Sequence, residues 1–315
     1  HYLHPDRPTY QVEVKTNFMQ TLIKKTGVFW ASEFAHNFRG NLSAISGGVI
    51  ILFFIVIVAF GPSLVRQNPY DIASLELMDA YKPPFWLPGG DARYLLGTDG
   101  QGRDVLARIV YGTRISLFIG LAAMICSSLI GATLGLIAGY FGGRLDGMIM
   151  RIADVQLSFP SILIALFLMS AFGTGIDKIL ISLTCVGWVI YARTVRGSTL
   201  SEKQKEYVQA ARAAGLPNRL IIVRHILPNV MTPVIVVATI QIGTFILIEA
   251  SLSFLGVGVP ITKPSLGLLI KNGFDVLLSG LWWTSVFPGA VIMLLVFGIN
   301  LLGDFLRDEL NPRLK

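Results

Sequence analysis

Of 315 residues, 53% are apolar and 14% charged, a balance that excludes an ordinary soluble domain and points into a bilayer. The net charge of +7 is carried beside the apolar runs, and no basic run is interleaved with aromatics, so the charge reads as membrane topology and not as a nucleic-acid surface. Two cysteines, Cys126 and Cys185, both inside apolar runs, offer no disulfide framework and read as small apolar packing residues.

The first 44 residues are polar and lack the short apolar core of a cleavable signal. The sequence opens on His1, and some residues upstream are expected to be missing. Apolar runs long enough to cross a bilayer, which takes about 20 residues, then predict six transmembrane helices over about 45–65, 112–139, 148–170, 176–195, 230–258 and 284–306. The fold class is therefore all-α and polytopic.

Between the first two spans, residues 66–111 form an expected external element punctuated by Pro69, Pro83, Pro84, Pro88, Gly89 and Gly90. Within it, Val105–Val110 is expected as a short interfacial helix. The preceding Gly97-Thr98-Asp99-Gly100-Gln101-Gly102-Arg103-Asp104 string has neither the ligand alternation of a calcium loop nor a nucleotide fingerprint, and reads as a turn. The five spans from 112 to 306 form the expected functional core, with no repeat between their halves. Gly131, Gly135 and Gly139, followed by Gly143, recur every fourth residue and make a groove on one helix face. That groove serves either intrachain packing or a subunit interface. Asp146, Arg151 and Asp154 read as a charge cluster at the start of the third span, and Asp304, Arg307 and Asp308 as anchors at the end of the sixth.

Residues 200–228 carry the strongest local signal. Glu206–Ala214 favours a helix, Gly215 suits a C-cap at positive φ, and Pro217 suits the first turn of a second helix that Pro228 would end. The bases Arg193, Arg196, Lys203, Lys205, Arg212, Arg219 and Arg224 outnumber Glu202 and Glu206 here, which places this hairpin in the cytoplasm. With six spans, both termini are then cytoplasmic, and Lys24, Lys25 and Arg39 agree. A helix–Gly–helix hairpin on a membrane surface suits docking to a partner protein.

Glu249 lies inside the fifth span, where a carboxylate costs roughly 2–4 kcal/mol on insertion scales, so it needs water, a base or a partner helix. It either lines a pore or makes a structural contact, and Gln241, Ser251 and Ser253 share its segment. No Gly-x-x-x-x-Gly-Lys-Ser/Thr phosphate loop, His-Glu-x-x-His or Gly-x-Ser-x-Gly motif occurs, so no catalytic residue, metal site or cofactor is expected in this chain.

The hairpin resembles the coupling motif of ABC-importer permeases: Ala210-Ala211, then Gly215, then Leu227-Pro228. Gln209 and His225 depart from the general pattern in the manner of the dipeptide/oligopeptide/nickel subfamily. Further strings match that subfamily from about residue 40 to the C-terminus: Leu96–Asp99, Gly102–Leu106, Ala138–Gly143, Ser158–Ser161, Glu249–Gly256, Phe287–Gly289, Asn300–Asp304 and Leu306–Asp308. The chain is most similar to the C-type permease. The resemblance implies half of a translocation pore in a bacterial or archaeal plasma or inner membrane. It implies a sister permease, an external substrate-binding protein and two ATPase subunits or domains that hold ATP and Mg. The implied coupling residues are Glu206, Gln209, Ala210, Ala211, Arg212, Ala214, Gly215, Arg219, Arg224, His225, Leu227 and Pro228. Di- or oligopeptides are the implied substrates, with nickel–chelate, glutathione or opine-like solutes as alternatives in the family. From other classes, a secondary transporter would need ion-coupling carboxylates and broken helices in two repeats, and a non-transporting scaffold would need only the Gly-rich span and the hairpin.

Overall fold

The structure is a computed structural model and describes residues 34–65, 67–71 and 76–310. Expectations for residues 1–33, including Lys24 and Lys25, and for the tail beyond 310 lie outside the described residues. A short helix over 34–40 leads through the N-cap Asn41, whose side chain accepts from Ala44 N at 3.1 Å, into α1, Leu42–Leu64. The later helices are α2 (Val105–Phe141), α3 (Gly143–Leu157), α4 (Ser161–Phe172), α5 (Ile176–Glu202) and α6 (Glu206–Ala213). They are followed by α7 (Asn218–Phe254), α8 (Leu266–Phe274) and α9 (Trp283–Leu310).

Among the described residues five helices are long and apolar enough to cross a bilayer: α1, α2, α5, α7 and α9. The pair α3 and α4 makes a sixth span only if counted together, because the two helices meet at 91°. The expectation of one straight helix over 148–170 is thus corrected. Ser158-Phe159-Pro160 separates the pair, and a proline both lacks an N–H and pushes its predecessor out of the helical region.

The α2 helix corrects a second boundary. Residues 105–110 are not a separate interfacial helix but the first turns of a 37-residue rod, about 55 Å long at 1.5 Å per residue. Asp104 caps it, accepting from Leu106 N at 2.9 Å, and no proline interrupts it before Gly142, whose φ of +68° ends it. The string before Asp104 is a turn, as read, closed by an antiparallel bridge between Thr98 and Asp104.

The helices α2, α5, α7 and α9 form the bundle, with α2 against α5 as its most extensive contact. Gly131, Gly135 and Gly139 make that contact. They face Tyr191 and Ala192, Val195, and Thr199 of α5, with backbone close enough that no side chain would fit. The groove therefore serves intrachain packing. On the far side, Gly47 of α1 sits on Leu301, and Gly298 of α9 sits on Ile50, which fixes α1 as an outer helix. Cys126 and Cys185 lie on the outside of their helices and not in packed positions.

The charge clusters are rearranged from those expected. Asp146 is paired by Arg196, and Asp154 by Arg193, so the acids of α3 meet α5 while Arg151 is exposed. At the other end, Asp304, Arg307 and Asp308 are exposed, and the anchor is Glu309. Glu309 accepts from Asn37 Nδ2 at 3.0 Å beneath a cluster of Phe34, Phe38 and Phe305.

The segment 76–94 folds around Asp79. Lys82 Nζ lies 2.6 Å from this carboxylate, Tyr94 donates to it at 2.8 Å and Arg93 at 2.9 Å. The contact with Lys82 leads the effects that hold the Asp79 pKa down at about 2, and Arg93 holds Asp91 below the usual carboxylate range. A depressed carboxyl pKa stabilises the fold above the unfolded value of about 4 and loses that contribution as pH falls toward the folded one. The hydrogen-exchange protection of residues 76–94, relative to the intrinsic rate at each pH, is therefore expected to fall between about pH 4 and pH 2. Unchanged protection across that window would remove the carboxylates as the source of order. Asp104 has the opposite sign. Burial raises its pKa to about 6, so its contribution is complete below about pH 4 and is lost as pH rises through 6.

Candidate functional site

The hairpin begins where α5 ends. Helix α6 closes in a Schellman motif: Leu216 N bonds to Ala211 O at 3.2 Å and Gly215 N to Arg212 O at 3.0 Å. Gly215 holds φ at +76°, the left-handed conformation that this closure needs. Pro217 stands as the cap before α7, one position earlier than expected.

Pro228 does not end the second arm, and this corrects the sequence reading. Residues Ile221–Ile226 form a π turn in which Leu227 N reaches back to Ile222 O, and the helix continues through Pro228 to Phe254. Widening the turn by one residue shifts the ladder, and the proline, which lacks an N–H, falls just inside the resumed α-helix, where one is not required. The carbonyl of His225 instead accepts from Asn229 Nδ2 at 2.8 Å.

One face of the hairpin is committed to its own chain. Val208, Ala211, Ile221 and Ile226 are buried together with Tyr140 and Tyr191. Ala211, one of the implied coupling residues, thus faces inward. Three further contacts bind the hairpin to the C-terminal end of α2. Lys203 Nζ donates to Gly139 O at 2.9 Å, a cation on a helix's terminal carbonyls. Arg212 lies over the Tyr140 ring at 5.6 Å, and the Tyr140 hydroxyl donates to Asn218 Oδ1 at 2.7 Å. Tyr207 also donates to Glu202, which Lys205 pairs at 2.8 Å.

The other face is exposed. Glu206, Gln209, Ala210, Arg212, Ala214, Gly215, Arg219, Arg224 and Pro228 are exposed, while His225 and Leu227 are half-buried. Apart from Ala211, the small residues named from the sequence, and the bases Arg212, Arg219 and Arg224, are therefore exposed. The buried face of the hairpin packs on the ends of α2, α5 and α7.

Glu249 sits far along α7 and is fully enclosed. Ser116 of α2 and Ser253 each donate to its carboxylate at 2.7 Å. Ser116 Oγ in turn accepts from Leu266 N at 3.4 Å, and Ser253 Oγ from Val259 N at 3.2 Å. The acid therefore ties α2 and α7 to α8. The helix α8 was missed in the sequence reading, although Ser265 caps it by accepting from Leu268 N and an apolar run follows. Gly267 and Gly273 let it lie on the backbones of Ala250 and Thr284. Gln241 and Ser251, in contrast, are half-exposed.

The fold and the site together define a polytopic helical membrane protein with a basic hairpin exposed at one end. A model of the binding-protein-dependent transport system inner membrane component family matches residues 131–315, and the chain belongs to that family. Residues 29–84 match the N-terminal TM domain of oligopeptide transport permease C. The chain is 41% identical over 277 residues to the dipeptide transport system permease protein DppC of Alkalihalophilus pseudofirmus, covering 88% of each chain. It is 38% identical over 296 residues to the oligopeptide transport system permease protein OppC of Bacillus subtilis, covering 94% of this chain and 93% of that one. Among solved structures, the inward-facing MetNI methionine ABC transporter is similar in fold. The TM-score is 0.52 at 20% identity, over 64% of this chain and 96% of that one. The protein is thus a permease component of a binding-protein-dependent ABC importer.

Proposed function

We propose that this chain forms half of the translocation path for di- or oligopeptides, and that its 200–228 hairpin receives the stroke of separate ATPase subunits. The supporting observation is the hairpin's two-sidedness: one face is locked to α2, α5 and α7, and the other presents Gln209, Ala210, Arg212, Ala214, Arg219 and Arg224 outward. The peptide assignment follows the relatives named dipeptide and oligopeptide permeases. A sister permease supplies the other half of the path, and an external binding protein delivers the solute. ATP hydrolysis belongs to the ATPase chains, since this sequence holds no phosphate loop. Both termini and the hairpin are cytoplasmic by the distribution of bases, the α3–α4 pair completes the sixth crossing, and the 67–104 segment lies outside. Gln241 and Ser251 contribute polar lining to the path, while Glu249 and Ser253 hold α8 in place.

The test is ATP-driven peptide uptake by the reconstituted complex. Gly215→Val is expected to lower uptake at least tenfold while ATPase subunits remain bound and hydrolysis continues. A Cβ at Gly215 meets no neighbour within this chain, so the damage is to hairpin geometry, where a left-handed β-branched residue costs at least about 1–2 kcal/mol. Gly215→Asn tolerates that conformation and should retain most uptake. Normal uptake by Gly215→Val would sink the coupling assignment.

A further inference from the structure

Between the 67–104 segment and α8 lies a cavity of about 550 Å³, lined by Asp99, Gln101, Arg103 and Arg108 on one side and by Asn272 on the other. Its volume is that of a small-molecule site. Neither the hairpin nor the contacts of Glu249 use these side chains.

Asp99 is saturated. Its Oδ1 accepts from Gln101 N at 2.8 Å and Arg103 N at 3.0 Å, and its Oδ2 accepts from Arg103 Nε at 2.8 Å and from Arg108 Nη1. A carboxylate offers about four acceptor positions, so Asp99 can take no further donor and divides one negative charge between two guanidiniums. The charged lining, Asp99 against Arg103 and Arg108, is left with one uncompensated positive charge. Arg108 is 3% exposed, and its Nε–H is buried with no partner. Tyr81, also lining the cavity, holds φ at +57°, and its N–H donates to Asp99 O at 3.0 Å. Such strain in a bulky residue concentrates where a site is shaped.

We propose that this cavity binds a carboxylate. The anion enters beside the Arg103 and Arg108 guanidiniums and neutralises their excess charge, with the amides of Gln101 and Asn272 as neutral donors. The carrier is a short peptide presenting its C-terminal carboxylate, an identification that rests on the permease reading above.

Saturation-transfer difference NMR on the full chain in nanodiscs would test this, using acetate, Ala-Ala and the C-terminal amide of Ala-Ala as probes. Acetate and Ala-Ala are expected to saturate and compete, and the amide to bind at least tenfold more weakly. Arg108→Gln and Arg103→Gln are each expected to weaken acetate at least tenfold. The Arg103 variant leaves the Arg108–Asp99 pair in place, so it carries the test if Arg108→Gln does not fold. Equal binding of acid and amide, or undiminished binding by a folded Arg103→Gln, would overturn the site. Acetate binding without competition from Ala-Ala would remove the peptide as carrier. Peptide uptake by the complex without any acetate binding would remove the site and leave the permease function standing.

Discussion

Gly135→Leu will prevent this chain from accumulating as a folded protein. A Cβ at Gly135 would stand 2.9 Å from the Val195 Cβ and 3.1 Å from the Ala192 carbonyl carbon, inside normal contact with a neighbouring backbone that has nowhere to go. The neighbours repeat the constraint, since a Cβ at Gly131 would be 2.6 Å from the Tyr191 Cβ and one at Gly139 2.8 Å from the Thr199 Cβ. Dispersion between closely seated helices is the main attraction available inside a bilayer, and separating α2 from α5 forfeits it along the principal contact of the bundle. Even Gly135→Ala should cost about 1–3 kcal/mol by overpacking. The measurement is thermal unfolding in detergent followed by size exclusion. The control is Gly197→Ala in α5, where an added Cβ meets nothing and the gain in helix propensity is about 1 kcal/mol. A monodisperse Gly135→Leu protein with an unchanged melting temperature would contradict the packing argument.

Replacing Glu249 should separate shape from hydrogen bonding. Glu249→Leu fills the volume but strips both serines of their acceptor, and we expect a loss of about 2–4 kcal/mol, the scale of two hydrogen bonds left unmade inside a protein. Glu249→Gln keeps one amide oxygen for Ser116 or Ser253 and should retain more than half of that. The fingerprint is protease cleavage between Leu255 and Ser265, the connection that the Ser116–Glu249–Ser253 group holds against α7. Glu249→Leu with wild-type melting and cleavage would show that the carboxylate ties nothing.

These two sites mark what the sequence could and could not disclose. Glycines at every fourth residue announced a close helix contact because helical periodicity alone places them on one face, while whether the partner helix lay in this chain or in another subunit stayed open. The exposed face of the hairpin was readable for the same reason, from Gly215 and the run of bases. Glu249 announced that it needed partners but not which. Ser116 stands 133 residues away, and only the folded path of the chain brings it near. Asp146 and Asp154 failed similarly, since helical spacing suggested Arg151 while the nearer bases were Arg193 and Arg196 on a neighbouring helix. Boundaries were misplaced where local chemistry is ambiguous. Proline broke the third span at Pro160, where no flanking turn rescued it, yet was absorbed at Pro228.

That absorption has a consequence for how the chain can vary in length. A π turn is an α-helix carrying one surplus residue, so Ile221–Ile226 acts as a splice between two correctly phased rods. Upstream, phase is set by Ile221 seated under α6; downstream, by Gly243 and Glu249 seated against α9 and α2. Removing one residue from the splice, with Pro228 replaced so that ordinary winding can run through it, would leave both rods in phase, whereas the same deletion at Val236 would turn everything beyond it by about 100°. Within α7, this one turn is where a change of length need not become a change of face.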